Sequence, residues 1–409
     1  MKIGYYISKI QASDGGTYQY SIYILKMLLK CNEIKKVYLF YSDDQNISFG
    51  TFLSHPKVEP VLHDKKGKIY NYQKKLSEFL LTRYYLKNSK STFLYRIYNH
   101  LNPNRRFLNK YNLDVLHVPR QHAPAYNLKY PVVISMHDVQ HLHYPEFFTP
   151  IERIYRSISY YISLSEVSHV IVSYAHVKKD IKKYFSNIHP DVSVCPVPMD
   201  EEWTKSNTNT DISLLRIKFN LPEEFILTPA ATWEHKNHIA VLEALSILLK
   251  EGKKVFWVST GHKTPYFNSI EVKIKELGLT EQVLFTGLVS DEDLIALFKM
   301  TSLVVIPTLY EAGSGPLFEA IRYQIPVICS NVTSLPDTIK NDEFIFDPHD
   351  YEKIAWLIEK ALSDPEFIKK NKANSIQRLE ELKKADYVTS FIQAFENAIT
   401  FHNAKITKI

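Results

Sequence analysis

The 409-residue sequence predicts an α/β protein built from two doubly wound domains. Strand-like runs of β-branched and aromatic residues alternate with stretches of helical periodicity along the whole chain. This order is typical of parallel sheets joined by right-handed crossovers. The runs form two series of about six strands, one in each half of the chain. The length points the same way, because ~150 residues per domain gives between two and three domains.

The elements follow from the two series of runs. The predicted strands of the first series lie at 2–7, 36–42, 115–119, 131–137, 169–174 and 192–197. Those of the second series lie at 225–230, 254–260, 283–288, 303–308, 326–330 and 344–347. Helical patterns fill the gaps, for example over 18–29, 239–250 and 291–299. Charged helices are predicted at 350–363 and at about 365–400.

The domain boundary is expected in the polar stretch 201–211 (EEWTKSNTNTD), which lacks strand or helix periodicity. It follows Pro196 and Pro198, which cannot continue a central strand. We therefore expect an N-terminal domain at 1–199 and a C-terminal domain at 200–385. The last helix, 386–409, is expected to cross back to the N-terminal domain.

Composition excludes several classes of protein. The chain is 45% hydrophobic and 23% charged, close to the globular average, which argues against disorder. No apolar run is long enough for a spanning helix, and the start of the chain reads as a strand rather than a signal peptide. The three cysteines are far apart and odd in number, which fits neither a disulfide framework nor a zinc motif. We expect a cytoplasmic protein.

Charge is divided unevenly along the chain. Residues 1–200 hold 27 Lys and Arg against 15 Asp and Glu, whereas the remainder holds 23 against 29. A basic half favours a membrane or polyanion surface as partner. Nucleic acid is not expected, because the chain has no zinc finger, RNA-binding aromatic signature or basic heptad array.

The basic residues concentrate in the window 65–110, which holds twelve Lys and Arg, interleaved aromatics and a single acid, Glu78. Leu76, Phe79 and Leu80 form an apolar stripe next to cations, as an interfacial helix requires. We therefore expect this window to dock on an anionic inner membrane face. The alternative is an ordinary helix pair whose apolar face packs on the N-terminal sheet.

The strongest functional pattern is 304–331 (VVIPTLYEAGSGPLFEAIRYQIPVICSN). Glu311 follows a predicted strand, and Gly313, Ser314 and Gly315 then lead into a helix that carries Glu319. Small residues at a helix start expose backbone N–H groups, which suits a phosphate or a sugar hydroxyl. The competing interpretation is that Glu319 is only a helix carboxylate stabilised by the dipole.

Other polar residues also follow predicted strands, where open α/β sheets bind ligands. Lys236 follows strand 225–230 and could neutralise a diphosphate leaving group, although an ordinary surface lysine is the simpler interpretation. Gly15 and Gly16 permit close approach of backbone to a ligand. His137, beside Asp138, ends strand 131–137 and is expected at the cleft between the domains.

His141 and His143 raise the question of a metal site. Their spacing has no matching carboxylates, so zinc is not expected, and structural hydrogen bonding is the preferred role for both.

Together these patterns resemble glycosyltransferase family 4, the retaining "glycosyl transferases group 1" type with the GT-B fold. The resemblance covers nearly the whole chain and is strongest over 225–348. It rests on the E-x7-E pair Glu311 and Glu319, on 285–311 and 326–337, on MHDVQHLHYPEFF (136–148) and on WEHKNH (233–238). It implies two Rossmann-like domains facing across a cleft. The acceptor would bind the N-terminal domain, and a nucleoside-diphosphate sugar would bind the C-terminal domain.

The resemblance also implies roles for single residues. Glu319 would hold the donor ribose, and Glu311 would lie beside the transferred sugar. Lys236 would bind the diphosphate, and His137 would contact the sugar on its reacting face. The backbone of 313–315 would touch sugar hydroxyls or phosphate, and Gly15 and Gly16 would approach the phosphate.

Two departures from the family pattern bear on these roles. Ala312-Gly313-Ser314-Gly315 replaces the common Gly-Phe-Gly, so sugar contacts differ. Ala231-Thr232-Trp233 stands where a basic residue often precedes the lysine, so Arg120 or His235 could assist Lys236.

The resemblance therefore implies an enzyme that moves a hexose, mannose preferred, onto a saccharide or lipid-linked saccharide in surface polysaccharide synthesis. Galactose or glucose from a uridine donor is nearly as favoured. No cofactor or metal is expected, because no Asp-x-Asp triplet is identified and Lys236 and backbone amides would therefore neutralise the phosphates. The alternatives are a non-catalytic sugar-nucleotide-binding scaffold and a GT-B epimerase. A phosphorylase is disfavoured because it would need a far longer chain.

Overall fold

A computed structural model of the chain describes residues 1–8, 10–11, 15–63, 67–86, 92–188, 190–197 and 212–407. The chain divides into two compact units: unit 1 comprises 1–200 with 386–409, and unit 2 comprises 201–385. The polar stretch 201–211, where we expected the boundary, lies outside the described residues.

Each unit contains one sheet. The strands of unit 1 are β1 (Lys2–Tyr6), β2 (Lys36–Tyr41), β3 (Val58–Leu62), β4 (Val115–Val118), β5 (Val132–Ser135), β6 (His169–Val172) and β7 (Val192–Val194). The strands of unit 2 are β8 (Ile226–Pro229), β9 (Trp257–Thr260), β10 (Val283–Gly287), β11 (Leu303–Ile306), β12 (Val327–Ser330) and β13 (Ile345–Phe346).

Helices connect the strands. In the first half of the chain they are α1 (Gly16–Lys30), α2 (Asn46–Leu53), α3 (Lys68–Leu86), α4 (Thr92–Leu101), α5 (Pro103–Leu108), α6 (Gln140–His143), α7 (Pro150–Glu166) and α8 (Ala175–Tyr184). In the second half they are α9 (Ile212–Phe219), α10 (His238–Lys250), α11 (Phe267–Glu276), α12 (Asp291–Met300), α13 (Gly315–Arg322), α14 (Leu335–Ile339), α15 (Tyr351–Ser363), α16 (Pro365–Lys384) and α17 (Tyr387–Ile406). Short 3-10 helices lie at Asp43–Gln45, Pro145–Phe147, Glu234–Lys236, Thr280–Gln282 and Asp342–Phe344.

Both sheets are parallel and doubly wound, which confirms the predicted fold class. The order in unit 1 is β3-β2-β1-β4-β5-β6-β7, and the order in unit 2 is β10-β9-β8-β11-β12-β13. The winding reverses between β1 and β4 in unit 1 and between β8 and β11 in unit 2. In sheets of this kind ligands bind beyond the carboxyl ends of the strands at such a reversal. We therefore expect ligands to bind at the loops that follow these strands.

Every strand predicted from the sequence is present, but β3 was missed. This strand contains Pro60, which removes a ladder donor and argues against a central strand. The structure places β3 at the edge of its sheet, paired only with β2 and with Pro60 opposite Leu39. An edge position tolerates proline because one side of the strand needs no partner.

The helical run predicted over about 365–400 is divided into α16 and α17, and α17 lies where the last helix was expected, at 386–409. The chain leaves helical geometry at Ala385, and α17 begins anew with the Asp386 side chain accepting from the Thr389 N–H at 3.0 Å. Helix α17 packs on the sheet of unit 1, where Phe391 and Phe395 are fully buried. Among the described residues, no helix has the length and apolar character needed to span a bilayer.

Candidate functional site

In unit 2, Lys236 and Glu311 meet at the point where the winding of the sheet reverses. Lys236 ends the 3-10 helix that follows β8, and Glu311 lies in the loop that follows β11. The Lys236 Nζ is 2.6 Å from the Glu311 Oε2. The two side chains are only 22% and 12% exposed, so solvent screens their charges little. The sequence predicted both residues as site residues, and the structure joins them as an ion pair.

Backbone contacts hold these two loops together. The His235 carbonyl accepts from the Leu309 N–H at 2.8 Å and from the Thr308 hydroxyl at 2.9 Å. Asn237 adopts a left-handed backbone with φ of 55°, a conformation that asparagine tolerates better than most residues. Its Nδ2 donates to the carbonyls of Pro307 and Pro348, each at 3.0 Å. The Lys236 backbone is therefore anchored on both sides.

The loop after β12 fixes the backbone of Glu311. The Thr333 hydroxyl accepts from the Glu311 N–H at 3.0 Å and donates to the Glu311 carbonyl at 2.8 Å. The Ser334 hydroxyl donates to the same carbonyl at 2.9 Å. Sequence reasoning missed both hydroxyl residues as site residues. Their position after a strand could have identified them, because β12 neighbours β11 and the loops after both strands emerge at the same edge of the sheet.

Helix α13 begins beside this pair. The Ser314 side chain is buried and accepts from the Leu317 N–H at 3.3 Å, whereas Gly313 and Gly315 are exposed. Ser314 and Glu311 also line one small concavity together with Lys236. Glu319 lies within α13, and its Oε2 is 3.1 Å from Arg322 Nη1 with the Glu319 side chain 26% exposed. Unit 2 therefore brings together Lys236, Glu311 and Ser314 at the start of α13.

Lys236 carries a charge that its neighbouring histidines lack. Burial lowers the pKa of His235 to about 3, with a further contribution from the Lys236 charge. Burial likewise lowers the pKa of His238 to about 4. Both rings are neutral at pH 7, so His235 could assist a diphosphate through hydrogen bonds but not as a cation.

In unit 1, His137 follows β5 and is oriented by a backbone carbonyl. Its Nε2 lies 3.1 Å from the Pro119 carbonyl oxygen, which can only accept, so Nε2 carries the proton and Nδ1 is the acceptor. Burial lowers the pKa of His137, and the bond to Pro119 and the Asp138 charge oppose that shift. A neutral ring with one accepting nitrogen follows.

The His137 ring packs against Tyr20, which belongs to a buried hydrogen-bond network with Ser135 and His117. The Tyr20 ring meets the His137 ring edge-on with centroids 4.8 Å apart. The Tyr20 hydroxyl is 2.9 Å from the Ser135 hydroxyl, which is 2.9 Å from the His117 Nε2. All three are buried. The sequence analysis did not identify this network, because its members come from α1, β5 and β4 and share no local spacing.

Gly15 and Gly16 lie at the start of α1, on the carboxyl side of β1. Gly15 has φ of 54°, a left-handed conformation that favours glycine, and Gly16 is the first residue of the helix. A Cβ at either position would meet no atom within 4 Å. Only Gly15 therefore requires glycine for its backbone. Ser13 and Asp14 of the same sequence run lie outside the described residues.

The two histidines after His137 differ in their contacts. His143 Nε2 lies 2.9 Å from Asp180 Oδ2, which confirms the hydrogen bonding expected of it. The same expectation is wrong for His141. This buried ring packs edge-on against Phe148 and Tyr160, and neither of its nitrogens has a hydrogen-bond partner within the described part of the chain.

The premise that the chain has no Asp-x-Asp triplet is wrong, because one occurs at Asp291–Asp293. It forms the first turn of α12, where carboxylates are favoured by the helix dipole, and Asp293 pairs with Lys218 at 2.5 Å. Within the described ranges, no three His, Cys, Asp or Glu side chains are grouped so that they could hold a metal ion.

The chain is similar in sequence to known glycosyltransferases. Residues 214–378 match the family model "Glycosyl transferases group 1". The serotype-specific mannosyltransferase WbdA of Escherichia coli is 34% identical over 187 residues, which are 45% of this chain and 23% of that protein. The match thus spans less than a quarter of that relative. The O-antigen chain mannosyltransferase B of Escherichia coli is 23% identical over 402 residues, 97% of this chain and 100% of that protein.

The fold is shared with solved structures. The Anabaena protein HepE, crystallised in complex with UDP and glucose, superposes with a TM-score of 0.66 at 16% identity, covering 97% of this chain and 98% of HepE. WaaG, a glycosyltransferase involved in lipopolysaccharide biosynthesis, superposes with a TM-score of 0.60 at 14% identity over 97% of this chain and 98% of that chain. Residues 214–378 therefore resemble the group 1 glycosyl transferases, and the chain has the GT-B fold.

Proposed function

We propose that the protein transfers a hexose, preferably mannose, from a nucleoside-diphosphate sugar to a saccharide acceptor in surface polysaccharide synthesis. The observation that carries this proposal is the half-buried Lys236–Glu311 pair, 2.6 Å apart at the reversal point of the unit 2 sheet. The similarity to two mannosyltransferases, WbdA and the O-antigen chain mannosyltransferase B, supports mannose as the transferred sugar.

Each group in unit 2 has a chemical task in this proposal. The Lys236 ammonium neutralises charge that develops on the diphosphate as the glycosidic bond breaks. Backbone N–H groups at the start of α13 bind phosphate or sugar hydroxyls. Glu311 accepts hydrogen bonds from the transferred sugar, and Glu319 accepts from the ribose. Because Lys236 already contacts Glu311, the ammonium is oriented before a donor arrives.

We also propose that transfer retains the configuration of the anomeric carbon. The leaving phosphate departs and the acceptor attacks on the same face of the sugar, with the phosphate accepting the acceptor proton. His137 assists as a neutral acceptor, because its Nε2 proton is committed to the Pro119 carbonyl and only Nδ1 remains to accept from a sugar hydroxyl.

A donor panel tests the proposed activity. GDP-mannose, UDP-glucose and UDP-galactose are compared by thermal shift, where a donor at 100 times its Kd stabilises the fold by ~2.7 kcal/mol. Lys236→Gln should abolish the shift, and Lys275→Gln, at an exposed lysine of the same unit, should preserve it. Release of nucleoside diphosphate that requires acceptor would separate a transferase from a binding scaffold. Stabilisation by none of these donors would contradict the proposal.

The acceptor is proposed to be lipid-linked and the protein to work at the inner face of a membrane. In support, one side of α3 presents cations and large apolar groups together. The residues on this face are Lys68, Tyr72, Lys75, Phe79, Arg83 and Leu86, which fall within a sector of about 80° at 3.6 residues per turn. Among the described residues, no carboxylate pairs with its three cations. We call it the α3 face.

The α3 face differs from the stripe predicted from the sequence. Phe79 is 58% exposed, but Leu76 and Leu80 are half-buried and belong to the packed side of the helix. The Arg105 guanidinium is also engaged within the protein, since it donates to the backbone carbonyls of Asn127 and Asn99. Lys65, Lys66, Lys87 and Lys90 of the basic window lie outside the described residues.

Vesicle co-sedimentation tests membrane docking. Binding to anionic vesicles at low salt should fall with added salt and with neutral lipid, since each basic residue near an anionic surface contributes ~1 kcal/mol. Lys68, Lys75 and Arg83 changed together to Glu should abolish it. Changing Lys254, Lys275 and Lys369, exposed lysines of unit 2, should not. No binding at low salt would favour a soluble acceptor.

A further inference from the structure

Unit 1 contains an apolar cavity that the proposed transfer chemistry does not use. It has a volume of about 450 Å³, within the ~300–1,000 Å³ of small-molecule sites. Its walls come from α3, α7 and the loop 122–126, which follows β4. On α7, Ile151, Ile154 and Tyr155 line it although they are 80%, 61% and 65% exposed. Exposed apolar groups gathered around a cavity mark a binding surface.

Much of the cavity wall is apolar, and the polar side chains in its lining include Asn102, His122 and Ser159. Tyr98 and Tyr126 line it and are 1% and 7% exposed. The Tyr98 hydroxyl accepts from the Tyr126 N–H at 3.0 Å, and the Tyr126 hydroxyl is 2.7 Å from the Ser163 hydroxyl. Leu81 and Ile162 complete this wall. With both hydroxyls satisfied by protein groups, the wall suits a hydrocarbon rather than a sugar or a nucleotide.

The cavity adjoins the cationic α3 face. Glu78 and Thr82 line the cavity, while their neighbours Phe79 and Arg83 belong to that face. Glu78, the acid at this edge, is already paired with Lys74 at 3.7 Å. A molecule with a hydrocarbon chain and an anionic head matches both features. The cavity is also linked to the proposed site, because the loop that walls it begins at Pro119, the carbonyl partner of His137.

We infer that this cavity binds one hydrocarbon chain of a membrane-lipid phosphate, while the cations of the α3 face hold the phosphate. The inference rests on the proposed function for the role of that lipid as part of the acceptor. Chain binding itself needs no donor and no catalysis. It places the lipid end of the acceptor in unit 1, on the side of the protein that docks on the bilayer.

Titration with n-alkyl phosphates of increasing chain length, kept below their micelle concentrations, tests the inference by calorimetry. One-to-one affinity should rise about fourfold for each added methylene, equivalent to ~0.8 kcal/mol, and then level off once the cavity is full. The gain per methylene should survive high salt, whereas the contribution of the phosphate should fall with salt. Affinity that is independent of chain length would overturn the inference.

Variants locate the binding site. Ser159→Phe, which fills the cavity, should reduce affinity for the longest bound chain at least tenfold. Ile154→Asn tests the rim at a position whose exposure makes unfolding no concern, and it should give a similar loss. Ile217→Asn, at a residue 78% exposed in unit 2, is the matched control and should bind normally. Unchanged binding in both cavity variants would contradict the assignment.

Nucleotide affinity and oligomeric state distinguish failure of this inference from failure of the proposed function. Nucleotide affinity, measured in the same samples, should not change in Ile154→Asn, because Ile154 is 61% exposed and its helix α7 carries none of the residues assigned to the donor. Chain binding without nucleotide binding would refute the proposed function alone, and the converse would refute this inference alone. If Ile154→Asn instead dissolves a concentration-dependent dimer and no alkyl phosphate binds, the apolar surface is an interface between copies and the inference is wrong.

Discussion

Replacing Glu319 by alanine should weaken donor binding strongly and destabilise the fold only slightly. A hydrogen bond to a charged group contributes ~1.5–3 kcal/mol, so loss of the carboxylate that accepts from the ribose should raise the donor Kd about 10- to 150-fold. The cost to the fold is smaller. Glu319 pairs with Arg322 one helical turn away at 3.1 Å, and partly exposed pairs of this kind contribute ~0.2–1 kcal/mol.

Calorimetric titration with donor and thermal unfolding without donor separate these two effects. A loss of ~1 kcal/mol lowers the Tm of a 150–250-residue unit by about 2–4 °C. Glu380→Ala is the matched control, since Glu380 makes a similar pair with Lys383 at 2.9 Å on α16 of the same unit. It should shift the Tm comparably and leave donor affinity unchanged. Equal donor affinity in Glu319→Ala and the wild type would refute the ribose assignment.

Three further predictions follow from the contacts described above. His137→Ala should lower turnover more than donor affinity, and equal losses in steady-state kinetics and titration would place His137 in ground-state binding instead. Chelator should leave activity intact, because Lys236 and backbone amides are expected to neutralise the phosphates; loss with EDTA that manganese restores would contradict this. Burial, with a smaller effect from His137, lowers the pKa of His117 from 6.5 to about 3, so below pH 6.5 only the unfolded chain takes up this proton. As the pH drops from 6.5 toward 3, His117 should therefore lower the free energy of unfolding by about 1.4 kcal/mol per pH unit. Urea titrations at several pH values should find a smaller slope in His117→Gln.

Much of the fold could be predicted because its signals are local. Short strands such as β4, β5, β11 and β12 are buried along their whole length and read as continuous apolar runs. Strand β3 could not be predicted in the same way, because Pro60 is compatible with a strand only at an edge, and edge position is a property of the assembled sheet. The break at Ala385 agrees with the last helix expected at 386–409, although helical periodicity continues on both sides of the break.

The candidate site was predictable to the extent that its residues follow strands. Lys236 and Glu311 lie in the loops that follow the two strands at the reversal of winding. Ligands of open α/β sheets bind beyond the carboxyl ends of strands, so residues in such loops can be proposed from the sequence. The residues that hold them were not predictable from spacing. Thr333 reaches the Glu311 backbone from 22 residues away, and Asn237 reaches Pro348 across 111 residues. Such contacts depend on which loops the sheet order brings together.

The cavity in unit 1 gave no signal in the sequence for a similar reason. Ile151, Ile154 and Tyr155 recur at helical spacing, and this pattern ordinarily indicates a packed helix face. The structure leaves that face exposed. Periodicity shows that a face is apolar, but only the packed structure shows whether another element covers it.

The central claim is that the Lys236–Glu311 site transfers a hexose from a nucleoside-diphosphate sugar. Transfer of labelled mannose from GDP-mannose to a mannose-containing acceptor saccharide, with the anomeric configuration of the product read by proton NMR, tests this claim most directly. We predict an α-linked product from the wild type, and a loss of at least a hundredfold in rate in Glu311→Gln with the fold preserved. A β-linked product, or full activity in both Glu311→Gln and Lys236→Gln, would contradict it.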